Sequence, residues 1–333
     1  MEKETPAPYA GLTPDTVLDA LQSVGLHGDG RLLALNSYEN RVYQIYLEEG
    51  SSPVDSVVAK FYRPGRWSDA QIAEEHTFVR VLAERELPVV AATKINGLTL
   101  NTFGGFRFAV YPRRGGRAPE LEDRETLEWM GRFIGRIHAV GALSSFEERP
   151  DLDIESFGDE PRDWLLDQHF IPDDLEEAWT SAVDLALAGV ENCYERAGDL
   201  RYLRLHGDCH AGNVLWTADG PHFVDFDDAR MGPSVQDLWM LLSGNRASMS
   251  TQLSDVLAGY EAFHEFDPRE LHLVEALRTL RLIHYSAWLA RRWHDPAFPA
   301  AFPWFNTHRY WQDRILELRE QIALMDEAPL QAS

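Results

Sequence analysis

Up to about Pro112 the apolar residues of this chain alternate as they do in strands; beyond it they recur every three or four residues, as they do in helices. Thr13-Pro14 opens a short helix through Leu18 and Leu21 that ends near Gly25. Arg31 to Asn36 and Arg41 to Leu47 read as strands around the polar turn Ser37-Tyr38-Glu39-Asn40, and Val54 to Tyr62 reads as a third. Ser68 caps a helix running towards Glu86, and Phe106 to Tyr111 forms another strand. Leu127, Met130, Ile134 and Ile137 then recur at helical spacing, with Gly141 as the expected stop. Further helices are expected at 174–197, 234–243, 252–262, 269–293 and 308–324. A strand-rich island interrupts them: Tyr202 to His206, Val214 to Trp216, the turn Asp219-Gly220, and His222 to Phe226. Strands and helices in separate blocks predict an α+β chain. We expect a small sheet lobe over 1–112, a hinge near 112–116, and a large helical lobe over 113–333 with an inserted β-hairpin.

A length of 333 residues suits two lobes. The net charge of −23 argues against binding polyanions in bulk, which excludes nucleic acid and anionic lipid as main partners. Residues 1–112 hold 10 Lys/Arg and 14 Asp/Glu, so most of that charge falls on the rest, where an acidic surface would suit a cationic substrate. Two cysteines, Cys193 and Cys209, make no disulfide framework and no cysteine-rich zinc module. Met1 to Pro6 shows no signal-peptide pattern, and no apolar run approaches the ~18 residues of a membrane helix. A soluble, cytoplasmic and monomeric protein is the expectation.

The chemistry concentrates in His206-Gly207-Asp208-Cys209-His210-Ala211-Gly212-Asn213, followed by Val224-Asp225-Phe226-Asp227. An apolar strand leads through a glycine turn to Asp208 and returns five residues later with Asn213; the hairpin then brings Asp225 back beside it. Phosphoryl transfer needs such a set: Asp208 to accept the proton of an attacking hydroxyl, and the hard oxygens of Asn213 and Asp225 to hold Mg²⁺ on nucleotide phosphates.

The H-x-D-x-x-x-x-N pattern with a following D-F-D resembles the catalytic and metal-binding loops of the protein-kinase-like superfamily, and its H-G-D-x-H-x-x-N form is similar to the aminoglycoside-phosphotransferase and choline-kinase branch. The resemblance implies a bilobal protein-kinase-like fold. It also implies Asp208 as catalytic base, Asn213 and Asp225 as metal residues, and Lys60 in Val57-Val58-Ala59-Lys60-Phe61 as the strand lysine on the ATP phosphates. Glu75 shares a helix face with Ile72, Val79 and Leu82, so it, rather than Glu74, is the expected partner of Lys60. Leu35 to Tyr43, Lys60 to Pro64, Leu205 to Asn213, Gln236 to Leu242 and Trp293 to Trp304 narrow the resemblance to a stress-linked group of bacterial Ser/Thr protein kinases that use ATP and Mg²⁺. A kinase of an aminoglycoside, choline or another small cationic alcohol is the alternative within the same branch.

The chain departs from the eukaryotic pattern in three places. No G-x-G-x-x-G is present; the Asn36 to Asn40 turn takes its place, and in keeping with the resemblance its backbone N–H groups and the Ser37 hydroxyl are expected to cover the phosphates. His210 replaces a lysine, and Asp227 follows Phe226 where glycine is usual. Backbone groups around Tyr111 and Arg113 are candidates for the adenine. Plainer roles are expected elsewhere: His206 bracing the loop, Asp237 bonding its backbone, Cys209 as a buried thiol, and the aromatic end of the chain as core. Asp227 is expected either to assist the metal or to cap a turn. Reading His206, Asp208 and His210 as the metal ligands of a hydrolase is a competing possibility that leaves Asn213 and Lys60 unused.

Overall fold

A computed structural model of the chain describes residues 7–50 and 52–332, so the stretch read above for a signal peptide lies outside the described residues. Two compact units emerge. One takes in the chain up to Ala118 together with Asn213–Asp227; the other takes in Pro119–Gly212 and the chain from Asp228 onward.

In the first unit, strands β1 (Gly28–Leu35), β2 (Arg41–Leu47), β3 (Ser56–Phe61), β4 (Asn101–Phe103) and β5 (Phe106–Pro112) form one antiparallel sheet in the order β1-β2-β3-β5-β4. Only the three-residue β4 was not expected; it is too short to show an alternation. Helix α1 (Pro14–Ser23) starts at Thr13, and α2 (Asp69–Glu84) starts at a full capping box made by Ser68 and Gln71. The strand period of two sorts β3 and β5 between two layers. Val57, Ala59, Phe61, Phe108 and Val110 pack with Val17, Ala20 and Leu21 of α1. Tyr62 and Ala109 pack with Ile72 of α2, and Tyr111 lies against them. Both faces of the sheet are therefore covered, which is why β3 reads as continuously apolar and why Lys60, on the α2 side, is buried. Phe61 is fully enclosed, and its truncation to alanine would cost about 3–5 kcal/mol.

The hairpin Val214–Thr217/Gly220–Phe223 belongs to this unit although it comes late in the chain. Its edges are pinned by backbone bonds: Val90 N–H to Phe223 O, Phe223 N–H to Pro88 O, and a reciprocal pair between Arg117 and Trp216. The second strand ends at Phe223 rather than Phe226, because Asp225 takes φ +60° and Phe226–Asp228 winds into a 3₁₀ turn.

The second unit is helical: α3 (Arg124–Gly141), α4 (Glu160–Asp167), α5 (Asp173–Ala197), α6 (Gln236–Trp239), α7 (Arg246–Tyr260), α8 (Val274–Arg291), α9 (Ala297–Ala301) and α10 (His308–Asp326). Acids crowd the first turn of α5 (Asp173, Asp174, Glu176), and Arg196 sits in its last, in keeping with the helix dipole. Leu203–Leu205 pairs with Arg230–Gly232 and not with the hairpin. Helix α7 begins six residues earlier than its apolar pattern suggests, because Asn245 caps it. Helix α3 does end at Gly141, but not through a left-handed turn. It is the last helical residue, and a Cβ there would come 2.2 Å from the Arg204 carbonyl; close approach, and not a turn, requires glycine there. The same holds where α3 crosses α7: Cβ atoms on Gly131, Gly135 and Gly259 would meet backbone oxygens at 1.9, 2.5 and 2.0 Å. Trp179 meets Trp311 edge to face at 6.1 Å, and Phe298, Phe302, Phe305 and Trp311 are buried, so the aromatic end is largely core; Trp304 is exposed. Among the described residues no helix is long and apolar enough to cross a membrane.

Candidate active site

In the first unit, Lys60 Nζ lies 2.7 Å from Asp225 Oδ1 and 3.0 Å from Asp227 Oδ1. Burial works against an ammonium at this position, but Asp225, Asp227 and then Glu75 outweigh it and hold the amine protonated well above its ordinary range. Glu75 is buried on the face of α2 that carries Ile72, Val79 and Leu82, as its spacing predicts. The ring of Tyr62 lies under the amine at 5.4 Å. The Tyr62 hydroxyl bonds His76 Nε2 at 2.7 Å and the Tyr111 hydroxyl at 2.9 Å, and His76 Nδ1 bonds Thr99. Tyr111 is thus held by its side chain within the sheet–α2 layer, and burial raises both phenols.

Asp227 is a structural anchor of this cluster. It is 4% exposed, receives Arg66 at 2.7 Å and Asn40 Nδ2 at 3.0 Å, and faces Lys60. Asn40 Oδ1 in turn accepts from the Arg63 N–H, and Glu39 pairs with Arg63 at 2.9 Å. The turn read as a phosphate cover therefore buries its last two residues in an ionic network, while Ser37 remains half-buried in the same loop. Sequence reasoning placed Asn40 in the covering turn but missed its pairing with Asp227, and it missed Arg63 and Arg66 as parts of the site. The concentration of charge in Glu39-Asn40-Arg41 and Arg63-Pro64-Gly65-Arg66 was the available signal.

Asp225 differs from Asp227. Its side chain is 47% exposed, and its backbone sits in the left-handed region that non-glycine residues seldom occupy. The neighbouring Val224 N–H donates to the Asn213 carbonyl, so the backbone pairs the two predicted metal residues across the hairpin base. An amide oxygen and one accessible carboxylate make a small, hard donor set. It fits an ion that keeps several waters and takes its remaining ligands from phosphates, as Mg²⁺ does. No cluster of three or more His, Cys, Asp or Glu suited to a metal is found among the described residues, so His206, Asp208 and His210 form no hydrolase centre. Arg113 lies exposed just beyond β5.

In the second unit, Asp208 Oδ1 receives Arg281 Nη1 at 2.6 Å, and Oδ2 lies 3.5 Å from His210 Nε2. The Gly212 N–H donates to His210 Nδ1, which leaves the ring proton on Nε2, facing Asp208. Burial raises the Asp208 carboxyl, but the His210 bond and the Arg281 charge more than offset it and hold it down at about 2. Asp208 is therefore ionised at any physiological pH. Arg281 was not anticipated; it stands on α8, 73 residues away, and no local pattern marks it.

The loop carrying Asp208 is held by its backbone. Asp237 accepts the N–H groups of His206 and Gly207, both at 2.8 Å, and Gln236 Nε2 donates to the Gly207 carbonyl. This is the role expected of Asp237. His138 fixes that carboxylate from behind, with Nε2 at 3.0 Å, and lies 2.8 Å from the Tyr260 hydroxyl. Gly207 has φ +86°, and a Cβ there would strike the Asp228 carbonyl at 2.1 Å, so only glycine fits. His206 is buried, and its Nδ1 accepts from the Asp208 N–H. Cys209 is buried and its thiol is pushed up by burial, which leaves it a packing residue.

With this geometry in hand, the comparisons become specific. The model of the phosphotransferase enzyme family matches residues 31–277. Stress response kinase A of Escherichia coli K12 is 47% identical over 323 residues, 97% of this chain and 96% of that protein. Serine/threonine protein kinase RdoA of Salmonella typhimurium is 46% identical over the same shares. The solved amicoumacin kinase hAmiN, captured with AMP-PNP and Ca²⁺, superimposes with a TM-score of 0.71 over 99% of this chain and 98% of its own; at 21% identity that likeness speaks to fold alone. An α+β chain with a five-stranded antiparallel sheet, a helical remainder, a strand lysine paired to a D-F-D aspartate and an H-G-D loop, near-identical in extent to these kinases, belongs to the phosphotransferase enzyme family and to its stress response kinase A group.

Proposed function

We propose that this protein is an ATP- and Mg²⁺-dependent kinase that phosphorylates Ser or Thr hydroxyls of proteins. We place it in the bacterial cytoplasm, where ATP is available, and in a stress response, following the name of its Escherichia coli relative, with envelope or oxidative stress as what the resemblance of the sequence implies. The observation that carries the phosphotransfer chemistry is the 2.7 Å pair between Lys60 and Asp225, which joins a strand lysine to a carboxylate 165 residues further along the chain.

Lys60, supported by Glu75, would hold the phosphates of ATP, and the Asn36 to Asn40 turn with Ser37 would cover them. Backbone groups at Tyr111 to Arg113 would take the adenine. Asn213 and Asp225 would hold Mg²⁺, which when bound neutralises charge on the phosphates. Asp208 would orient the acceptor hydroxyl and take its proton as the oxygen attacks the γ-phosphorus. Asp227, with three polar partners of its own, would shape the Lys60 environment and not serve as a ligand.

The acidic composition of the chain and the small-molecule substrate named for the amicoumacin kinase favour a second reading, a small cationic alcohol as acceptor. Labelled ATP offered with protein acceptors and, separately, with aminoglycosides and choline separates the two. Label on Ser/Thr, absent with Asp208→Ala, is expected; label confined to the small alcohols would overturn the protein-kinase reading.

A further inference from the structure

The guanidinium of Arg281 holds Oδ1 of Asp208, the carboxylate read above as the proton acceptor. An acceptor hydroxyl that comes to Asp208 therefore meets this guanidinium beside it. Arg281 is 42% exposed, and an ion pair that open is cheap to rearrange, so stability alone does not explain its presence. The neighbouring charges are accounted for otherwise. Arg230 is held by Asp228 at 2.9 Å, and Arg278, one turn before Arg281, by Glu275 at 3.1 Å. His284 is buried and stacked on Phe157, with burial and Arg230 lowering its ring to about 3, so it stays neutral and adds no charge beside Arg281. An acidic side chain on the acceptor would give Arg281 a counter-charge where the acceptor hydroxyl shares Asp208. Along α8, Arg278, Arg281, Tyr285 and Trp288 follow one another at steps of three and four, the two rings stacked at 5.6 Å. That row is basic and aromatic, unlike the acidic chain around it.

We propose that Arg281 is a specificity-determining residue that selects Ser/Thr acceptors flanked by acidic side chains and disfavours cationic ones. The proposal rests on the protein-kinase reading above. Total charge does not contradict it: at physiological salt the screening length is ~8 Å, so a guanidinium beside the base outweighs distant carboxylates. An ammonium-bearing alcohol placed at Asp208 would meet Arg281 as a like charge.

The test uses the full chain with ATP and Mg²⁺ and two peptides that differ only in having Glu or Lys on either side of one Ser. The wild type is expected to favour the Glu peptide in kcat/KM by about tenfold or more. Arg281→Gln should bring the ratio close to one, Arg281→Glu should invert it, and Arg281→Lys should retain it; each ratio is internal to its variant, so partial loss of folded enzyme cancels. Raising the salt should shrink the wild-type preference. Equal use of both peptides by the wild type, or a ratio unmoved in Arg281→Gln and Arg281→Glu, would overturn the proposal while leaving the protein-kinase reading intact. An equal fall on both peptides with the ratio preserved would assign Arg281 to the transferred phosphoryl group and overturn it as well. If neither peptide takes label and an aminoglycoside or choline does, both readings fall together.

Discussion

Lys60 and Asp208 each sit beside opposite charge, yet their surroundings differ. Lys60 is 6% exposed and Asp227 4%, locked by Arg66, Asn40 and the phenol layer of Tyr62 and Tyr111. The side chains of His210 and Arg281 around Asp208 are 40% and 42% exposed and answer few groups beyond it. A buried, multiply bonded charge keeps one geometry, because losing any partner strands the others in low dielectric. A half-exposed pair is worth little and rearranges easily. On the function proposed above, the first arrangement would suit a ligand that is always the same, the triphosphate, and the second an acceptor that varies. Rigidity and adaptability would then fall to different residues of the same reaction.

Five substitutions test that contrast. Asp208→Ala should reduce phosphate transfer by about 10²–10⁴ while nucleotide binding persists; full activity would remove Asp208 from the chemistry. Lys60→Met should lower unfolding free energy by roughly 3 kcal/mol in urea titrations, since it leaves Asp227 buried short of a cation, and should weaken ATP binding. Were its stability unchanged, the sheet-side cluster would not be the rigid one. Asp225→Ala should weaken Mg²⁺-dependent nucleotide binding at least about tenfold, read by titration with and without Mg²⁺, whereas Asp227→Asn should mainly lower the melting temperature. The smallest effect belongs to Arg281→Gln. The Asp208 carboxyl is depressed, so its ionised form is present above the ordinary carboxylate range and lost only as pH falls through about 2. Removing Arg281 takes away one lowering charge, so the acid limb of kcat/KM should move up in pH while stability stays within ~1 kcal/mol. An acid limb that stays put would show Arg281 to be electrically idle.

Much of this was legible in the chain. The alternation of Val57, Ala59 and Phe61, the Ser68 cap and the face shared by Ile72, Glu75 and Val79 are local signals, and the structure follows them. The H-G-D and D-F-D segments carry their roles in a few consecutive residues. What escaped depends on long-range contact. Arg281 meets Asp208 across 73 residues and Asn40 meets Asp227 across 187, and nothing near either residue announces its partner. Gly141 ends α3 as its position suggests, but glycine has two uses, a left-handed turn and a bare surface for another backbone, and only the packed structure shows that the second applies here.

The crossing of α3 over α7 carries that lesson into mutagenesis. His138 and Tyr260, which together brace Asp237 and through it the loop of Asp208, stand on those two helices. Adding a single methyl group at Gly131, Gly135 or Gly259 wedges the pair apart. A random screen for inactive variants should therefore recover alanines at these three sites, and a map of intolerant positions would trace the seam between two helices that touch no reacting atom.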